Sequence, residues 1–202
     1  MNDIQFHKYL TFNVWKHVKW NFDWLALSKL APECRKVCEV GIGSLDISIL
    51  PWFAETDVQI IGVDPNPELA EAARRALPNA VIHERAIWAD SCSEVTLYLD
   101  GGRSHVDGLW SPGKNGHRSI QVKTLAFSDI DDGSIDILNI DCEGGEWFVL
   151  SQLLSRPHLI GIELWDGYPN KNDCENWLIS HGYRPLISSG PTGETWIFKR
   201  QG

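Results

Sequence analysis

The densest acidic cluster in the chain is Asn139-Ile140-Asp141-Cys142-Glu143-Gly144-Gly145-Glu146, at the end of the apolar run Ile135–Ile140. Alternation along a strand puts Asn139, Asp141 and Glu143 on one side of its tip. Carboxylates gathered there suit an ammonium group, a substrate hydroxyl or a divalent cation, although charges solvated around a helix N-terminus would use the same residues. Glu163 ends a second apolar segment, Ile160-Gly161-Ile162-Glu163-Leu164-Trp165, and is expected to point into a cleft or to pair with a cation. A third strand end carries Glu39-Val40-Gly41-Ile42-Gly43-Ser44. Glycines there let the backbone approach a ligand closely and turn sharply into a helix, which a tight turn with no ligand would also require. Asp64 follows the apolar run Val58–Val63 and can accept hydrogen bonds from both hydroxyls of a ribose, or cap the helix that Pro67 opens. Asp46 stands where a dinucleotide fingerprint has its third glycine, and a carboxylate beside a pyrophosphate is repelled. A nucleoside without phosphates escapes that penalty.

These residues need strand tips to hold them. Val37–Val40, Val58–Val63, Ala80–His83, Ile135–Ile140 and Leu159–Leu164 read as buried strands. Leu45–Phe53, Pro67–Ala76, Glu146–Leu154 and Asn172–His181 read as helices between them, the last stopped by Gly182. Strands joined by crossover helices imply a parallel, doubly wound α/β sheet with right-handed connections, whose ligands bind beyond the C-terminal strand ends. Val95–Leu99 alternates like a half-exposed strand, Asp100–Arg118 is Gly-rich and reads as a long loop, and Tyr183–Ile187 with Thr195–Phe198 reads as a closing hairpin. The stretch to Leu30 reads as helix, with Phe6, Leu10, Val14, Val18 and Phe22 at four-residue spacing. The chain thus divides into an N-terminal helical extension or cap, residues 1–31, and an α/β domain, residues 32–202.

Composition agrees with a single soluble globule: 202 residues, 43% hydrophobic and 22% charged. The net charge of −9 argues against a partner made of nucleic acid. No apolar run approaches the length of a membrane helix, and the first residues lack a secretory pattern, so no membrane partner is expected. Five cysteines without paired spacing fit a reducing, cytoplasmic setting. Oligomeric state is not legible.

Taken together, Glu39-Val40-Gly41-Ile42-Gly43, Val63-Asp64-Pro65-Asn66-Pro67, Ala86-Ile87, Val122-Lys123-Thr124-Leu125, Asp136–Glu146 and Ile162-Glu163 resemble the FkbM family of S-adenosylmethionine-dependent methyltransferases. Order and spacing agree from about Val37 to Phe198. The resemblance implies a class I methyltransferase fold, Rossmann-like, with a mostly parallel seven-stranded sheet whose last strand is antiparallel. It implies S-adenosylmethionine as cofactor, with Glu39, Gly41, Ile42, Gly43, Ser44, Asn139 and Asp141 around the methionine part. Asp64, Pro65 and Asn66 would serve the ribose, and Ala86 and Ile87 would flank the adenine. The chain departs from the family's usual Gly-Ala-Asn-x-Gly at Gly41–Leu45, and has Asn139 where the family often has Lys.

The expected reaction is methyl transfer to a hydroxyl oxygen of a small molecule or sugar, for which the enzyme supplies alignment and a sink for a proton. Asp141, Glu143 and Glu163 are the catalytic candidates. The same carboxylates could hold a divalent metal, which is not favoured, and no metal ligand is assigned. Between Gly101 and Lys123 the basic residues Arg103, Lys114, Arg118 and Lys123 face Asp107 alone, so a lid that favours an anionic acceptor is expected there. Arg103, His105, Trp110, His117 and Arg118 are its acceptor-binding candidates. The competing readings are a nucleoside-binding module without turnover and a nicotinamide-dependent oxidoreductase.

Overall fold

The computed structural model of the protein describes residues 24–188 and 195–202, apart from residues 32, 100–103, 107–108 and 110–117. Most of the helical extension, with the four-residue spacing of Phe6 to Phe22, lies outside the described residues. Its described part is α1 (Trp24–Ser28). Trp24, Leu27 and Ala31 are buried in one core cluster with Val37, Leu159 and Ile197 of the sheet.

The main sheet has seven strands. β1 (Lys36–Val40), β2 (Gln59–Val63) and β3 (Val81–His83) run parallel on one side, with β8 (Ile137–Ile140) and β9 (Leu159–Glu163) parallel on the other. β11 (Thr195–Arg200) pairs antiparallel with both β9 and β10 (Tyr183–Ser188), giving the order β10-β11-β9-β8-β1-β2-β3. This is the mostly parallel, doubly wound sheet expected from the sequence. The apolar strands are continuous because both faces are covered. Val37, Ile137 and Leu159 face α1, the 3-10 turn Leu50–Phe53 and α2 (Pro67–Ala76), whereas Cys38, Leu138 and Ile160 face α3 (Glu146–Leu150) and α4 (Lys171–Ser180).

Two expected helices are shorter than their patterns suggest, and side-chain acceptors explain both. Of Leu45–Phe53 only Leu50–Phe53 is helical, as 3-10. The amide of Ile49 donates to Glu39 (3.1 Å) and that of Leu50 to Ser48 Oγ (3.1 Å), so the ladder of an α-helix is not built there. Of Glu146–Leu154 only Glu146–Leu150 is α-helical, and the amides of Leu154 and Ser155 both donate to buried Asp131 at 2.7 Å.

The stretch between β3 and β8 forms a second sheet, of order β4-β7-β5-β6, made of β4 (Ala86–Trp88), β5 (Glu94–Leu99), β6 (His105–Val106) and β7 (Arg118–Ala126). Asp100–Arg118 is therefore not loop throughout: His105 and Val106 pair antiparallel with Tyr98 and Leu97, and Arg118 already belongs to β7. This sheet is fastened to the α3 side of the main sheet. The rings of Trp88 and Phe148 lie 4.5 Å apart, and Gln152 donates to the Trp88 carbonyl while accepting from the Phe127 amide, each at 2.7 Å.

Candidate functional site

Strand order reverses between β1 and β8, and a cavity of about 300 Å3 opens at their C-terminal ends, where an open α/β sheet binds ligands. The tips of β1, β2, β8 and β9 supply its polar wall, and Ile42, Pro65, Leu69, Leu97 and Val106 its apolar wall. Leu97 and Val106 come from the second sheet, which thus closes one side of the crevice.

Gly41 is the tightest point. Its φ is +83°, and a Cβ built on it would land on the carbonyl oxygen of Asp141 and lie 2.6 Å from the carbonyl carbon. The turn after β1 and the tip of β8 are therefore in backbone contact, which only glycine permits. Gly43 is left-handed too, at φ +58°, but a Cβ there would meet only Ile47, at 3.6 Å. Asp64 joins this turn to β2: its carboxylate accepts from Gly43 N–H (2.9 Å) and Asn66 N–H (2.8 Å). Burial nevertheless raises its pKa to about 6, the amide hydrogen bonds opposing the shift.

Behind the turn, Glu39, Asn139 and Gly161 stand in one row across β1, β8 and β9. Glu39 is 2% exposed, and its carboxylate accepts from Ser48 Oγ, Ile49 N–H (3.1 Å) and Asn139 Nδ2 (3.0 Å). Burial pushes its pKa up to about 7 against those three donors. Asn139 thus supplies, without charge, a hydrogen bond to the acid. Gly161 leaves room for it, since a Cβ there would press on Asn139 Oδ1 and lie 2.9 Å from the Trp24 ring.

Past the Gly41 contact, Asp141, Glu143 and Glu163 each bring a carboxylate oxygen within 4.8 Å of the others. Desolvation, then the charge of Glu163 beside it, holds Asp141 well above the usual carboxylate range. Glu143 has a left-handed backbone, φ 54°. Glu146 holds the turn on both sides of it, accepting from Cys142 N–H and Gly144 N–H at 3.2 Å, with its own pKa raised to about 7 by burial. The hydroxyl of Tyr168 lies 3.1 Å from Glu143 Oε2 and 3.3 Å from Glu163 Oε2.

The structure brings Glu39, Gly41, Ile42, Gly43, Asp64, Pro65, Asn139, Asp141, Glu143 and Glu163 to one cavity. Other candidates lie off its wall. Ser44 is exposed, and Asn66 caps α2 by accepting from Glu68 N–H at 3.0 Å. Ala86 and Ile87 are buried in β4, Ala86 in a cluster with Leu97, Val106 and Val122 of the second sheet and Ile87 in the core beside α3 and α4. His105 is buried beside Tyr98, with ring centroids 5.5 Å apart, because alternation sends its neighbours Ser104 and Val106 to the cavity instead. Arg118 is 3.9 Å from Glu68 at the surface. Arg103, Trp110, Lys114 and His117 lie outside the described residues. Trp165 and Thr195, which line the cavity, and Tyr168 were not singled out from sequence. The aromatics that follow Glu163 were the available signal for the first and third.

Residues 45–185 match the family model described as the methyltransferase FkbM domain. The chain belongs to the FkbM methyltransferase family. It is an S-adenosylmethionine-dependent methyltransferase, with the donor implied by that membership. No curated protein matches its sequence. Two solved structures share the fold of this FkbM protein. A caffeoyl-CoA O-methyltransferase candidate from Staphylococcus aureus is 11% identical, with 100% of this chain and 93% of that chain covered, at a TM-score of 0.56. A TehB-like SAM-dependent methyltransferase from Corynebacterium glutamicum is 14% identical, with 99% and 100% covered, at a TM-score of 0.50. No described helix is long and apolar enough to cross a membrane.

Proposed function

We propose that this FkbM protein transfers the methyl group of S-adenosylmethionine to a hydroxyl oxygen of a neutral, polyhydroxylated small molecule or sugar. The contact between Gly41 and the Asp141 carbonyl carries this reading. It sets the turn suited to the donor directly against the carboxyl cluster suited to the acceptor's proton.

The residues fit the donor. Glu39 offers an ammonium group a buried carboxylate, and Asp64 keeps acceptor capacity for ribose hydroxyls. Ile42, Pro65, Leu69, Leu97 and Val106 form an apolar slot for a base. When bound, S-adenosylmethionine supplies an electrophilic methyl group on a sulfonium. Asp141, Glu143 and Glu163 then receive the proton of the acceptor hydroxyl as oxygen becomes the nucleophile. Trp165 presents a face on which a sugar ring can stack, and Leu97 and Val106 exclude water on the opposite side. Five carboxylates and no Lys, Arg or His stand among the described lining residues, which favours a neutral acceptor over the anionic one expected from the basic stretch.

Calorimetry with S-adenosylmethionine and S-adenosylhomocysteine, followed by transfer of labelled methyl to a panel of alditols and methyl glycosides, tests the proposal. Asp141→Ala is expected to lower transfer by about a hundredfold or more. Failure to bind the donor would refute the reading. Binding without transfer to any acceptor favours a nucleoside-binding module, and full transfer by Asp141→Ala moves the base elsewhere.

A further inference from the structure

We propose that Tyr168 is a positioning residue for the acceptor-side acids, its hydroxyl tying Glu143 at the tip of β8 to Glu163 at the tip of β9. This rests on the methyl-transfer reading of the cavity, and assigns a role to a side chain outside it. Tyr168 is 5% exposed and follows a turn in which its amide donates to the Trp165 carbonyl at 3.0 Å. The residue that fixes the two acids therefore also fixes the aromatic wall beside them.

The geometry limits what the hydroxyl can do. A phenol has one hydrogen and two carboxylate oxygens in reach, at 3.1 and 3.3 Å. It donates to one of them, and the other contact is favourable when that carboxyl is protonated and donates to the phenol oxygen. Glu143, Tyr168 and Glu163 thus form a directional chain, and Asp141 stands beside it with a carboxylate oxygen within 4.8 Å of both acids. Its direction selects which acid is left as carboxylate.

The phenol itself cannot be the base. Burial first, then Glu146, Glu143, Glu163 and Asp141 around it, hold its ionisation far above the physiological range, so it stays a donor. Those four carboxyls, from the turn after β8 and the end of β9, are the titratable groups that face it. The anchoring also explains how Glu143 keeps its left-handed backbone, a conformation that costs a non-glycine residue about 1 kcal/mol or more. Glu146 holds the main chain on both sides, and Tyr168 holds the end of the side chain.

Two measurements test this. With labelled S-adenosylmethionine and the alditol and methyl glycoside panel, Tyr168→Phe should leave donor affinity unchanged in calorimetry while kcat falls about tenfold. The acid limb of its pH profile should move up by about one pH unit, because a carboxylate loses a hydrogen bond that favours its charged form. An unmoved pH profile with lowered kcat would show a packing role only. The second measurement needs no acceptor and no Phe variant. With 3-fluorotyrosine in place of Tyr168, the 19F resonance should move with pH as the cluster takes up protons, and Glu143→Gln and Glu163→Gln should each alter that movement. A resonance that is flat, or that neither Gln variant alters, overturns the proposal whatever the transfer assay gives. A resonance that moves as expected in a protein that transfers no methyl group sustains the bridge and counts against the reading of the cavity instead.

Discussion

Gly41→Ala compared with Gly43→Ala isolates the contact on which the active-site reading depends. Both glycines are left-handed, and an alanine in that conformation costs about 1–2 kcal/mol at either position. The difference lies in what the new methyl group meets. At Gly43 it meets only Ile47 Cδ1, at 3.6 Å, an ordinary contact. At Gly41 it falls on the Asp141 carbonyl, and nothing there is the end of a flexible side chain. Backbone must yield by more than an ångström, either in the turn after β1 or at the tip of β8 where Asp141 N–H donates to the Val40 carbonyl at 2.9 Å. Overpacking against main chain adds about 2–3 kcal/mol to the conformational cost, so Gly41→Ala should lose about 4 kcal/mol. In a domain this size that lowers Tm by roughly 10 °C, against about 3 °C for Gly43→Ala. Thermal unfolding followed by circular dichroism measures the stability difference, and calorimetry with S-adenosylmethionine measures donor affinity, which Gly41→Ala should lose more completely. Equal stability of the two variants would refute the close packing of the turn on Asp141. Equal donor affinity, with unequal stability, would place the donor away from this turn.

The pH dependence of stability and of donor binding should have opposite signs. Glu39 and Asp64 have folded pKa values raised to about 7 and about 6 by burial. The stability they contribute is present below their unfolded values near 4 and is lost as pH rises through the folded ones, so urea titrations without ligand should show a less stable protein at pH 7 than at pH 5 from these groups. Donor binding favours their ionised forms, so affinity for S-adenosylmethionine should weaken as pH falls below about 7, by up to about tenfold per unit for each group, with proton release in calorimetry. An affinity that does not change with pH would place the ammonium and ribose elsewhere. Gly161→Ala should destabilise by about 2 kcal/mol, since its methyl presses on Asn139 and on the Trp24 ring 2.9 Å away. Adding Asn139→Ala should relieve part of that loss, and strictly additive unfolding energies would contradict the packing of the row Glu39-Asn139-Gly161.

Much of the scaffold was legible because it is encoded locally. Apolar runs of strand length alternate with helical patterns, and a right-handed crossover leaves few ways to order them. The acidic strand ends Asp64, Asp141 and Glu163 could be placed for the same reason, since a strand tip in a parallel sheet faces the crevice whichever strand it ends. Helix lengths were less legible. The amides of Ile49, Leu154 and Ser155 are taken by Glu39 and Asp131, acceptors far away or across a turn that no local pattern reveals. The second sheet was also missed: β7 pairs with β4 and β5 across long intervening segments, and the Gly-rich stretch beside it hides the two-residue strand His105–Val106.

The sequence by itself determined the strand alternation, the family, and the acids that stand at the strand ends, because each is written in neighbouring residues. Only the tertiary structure decided that Ala86 and Ile87 are buried in two separate clusters, that Leu97, Val106 and Trp165 wall the cavity, and that Tyr168 reaches both Glu143 and Glu163. Those outcomes depend on residues from separate elements meeting in space. Burial then sets the properties of each acid through the neighbours it meets, and spacing along the chain carries no record of them.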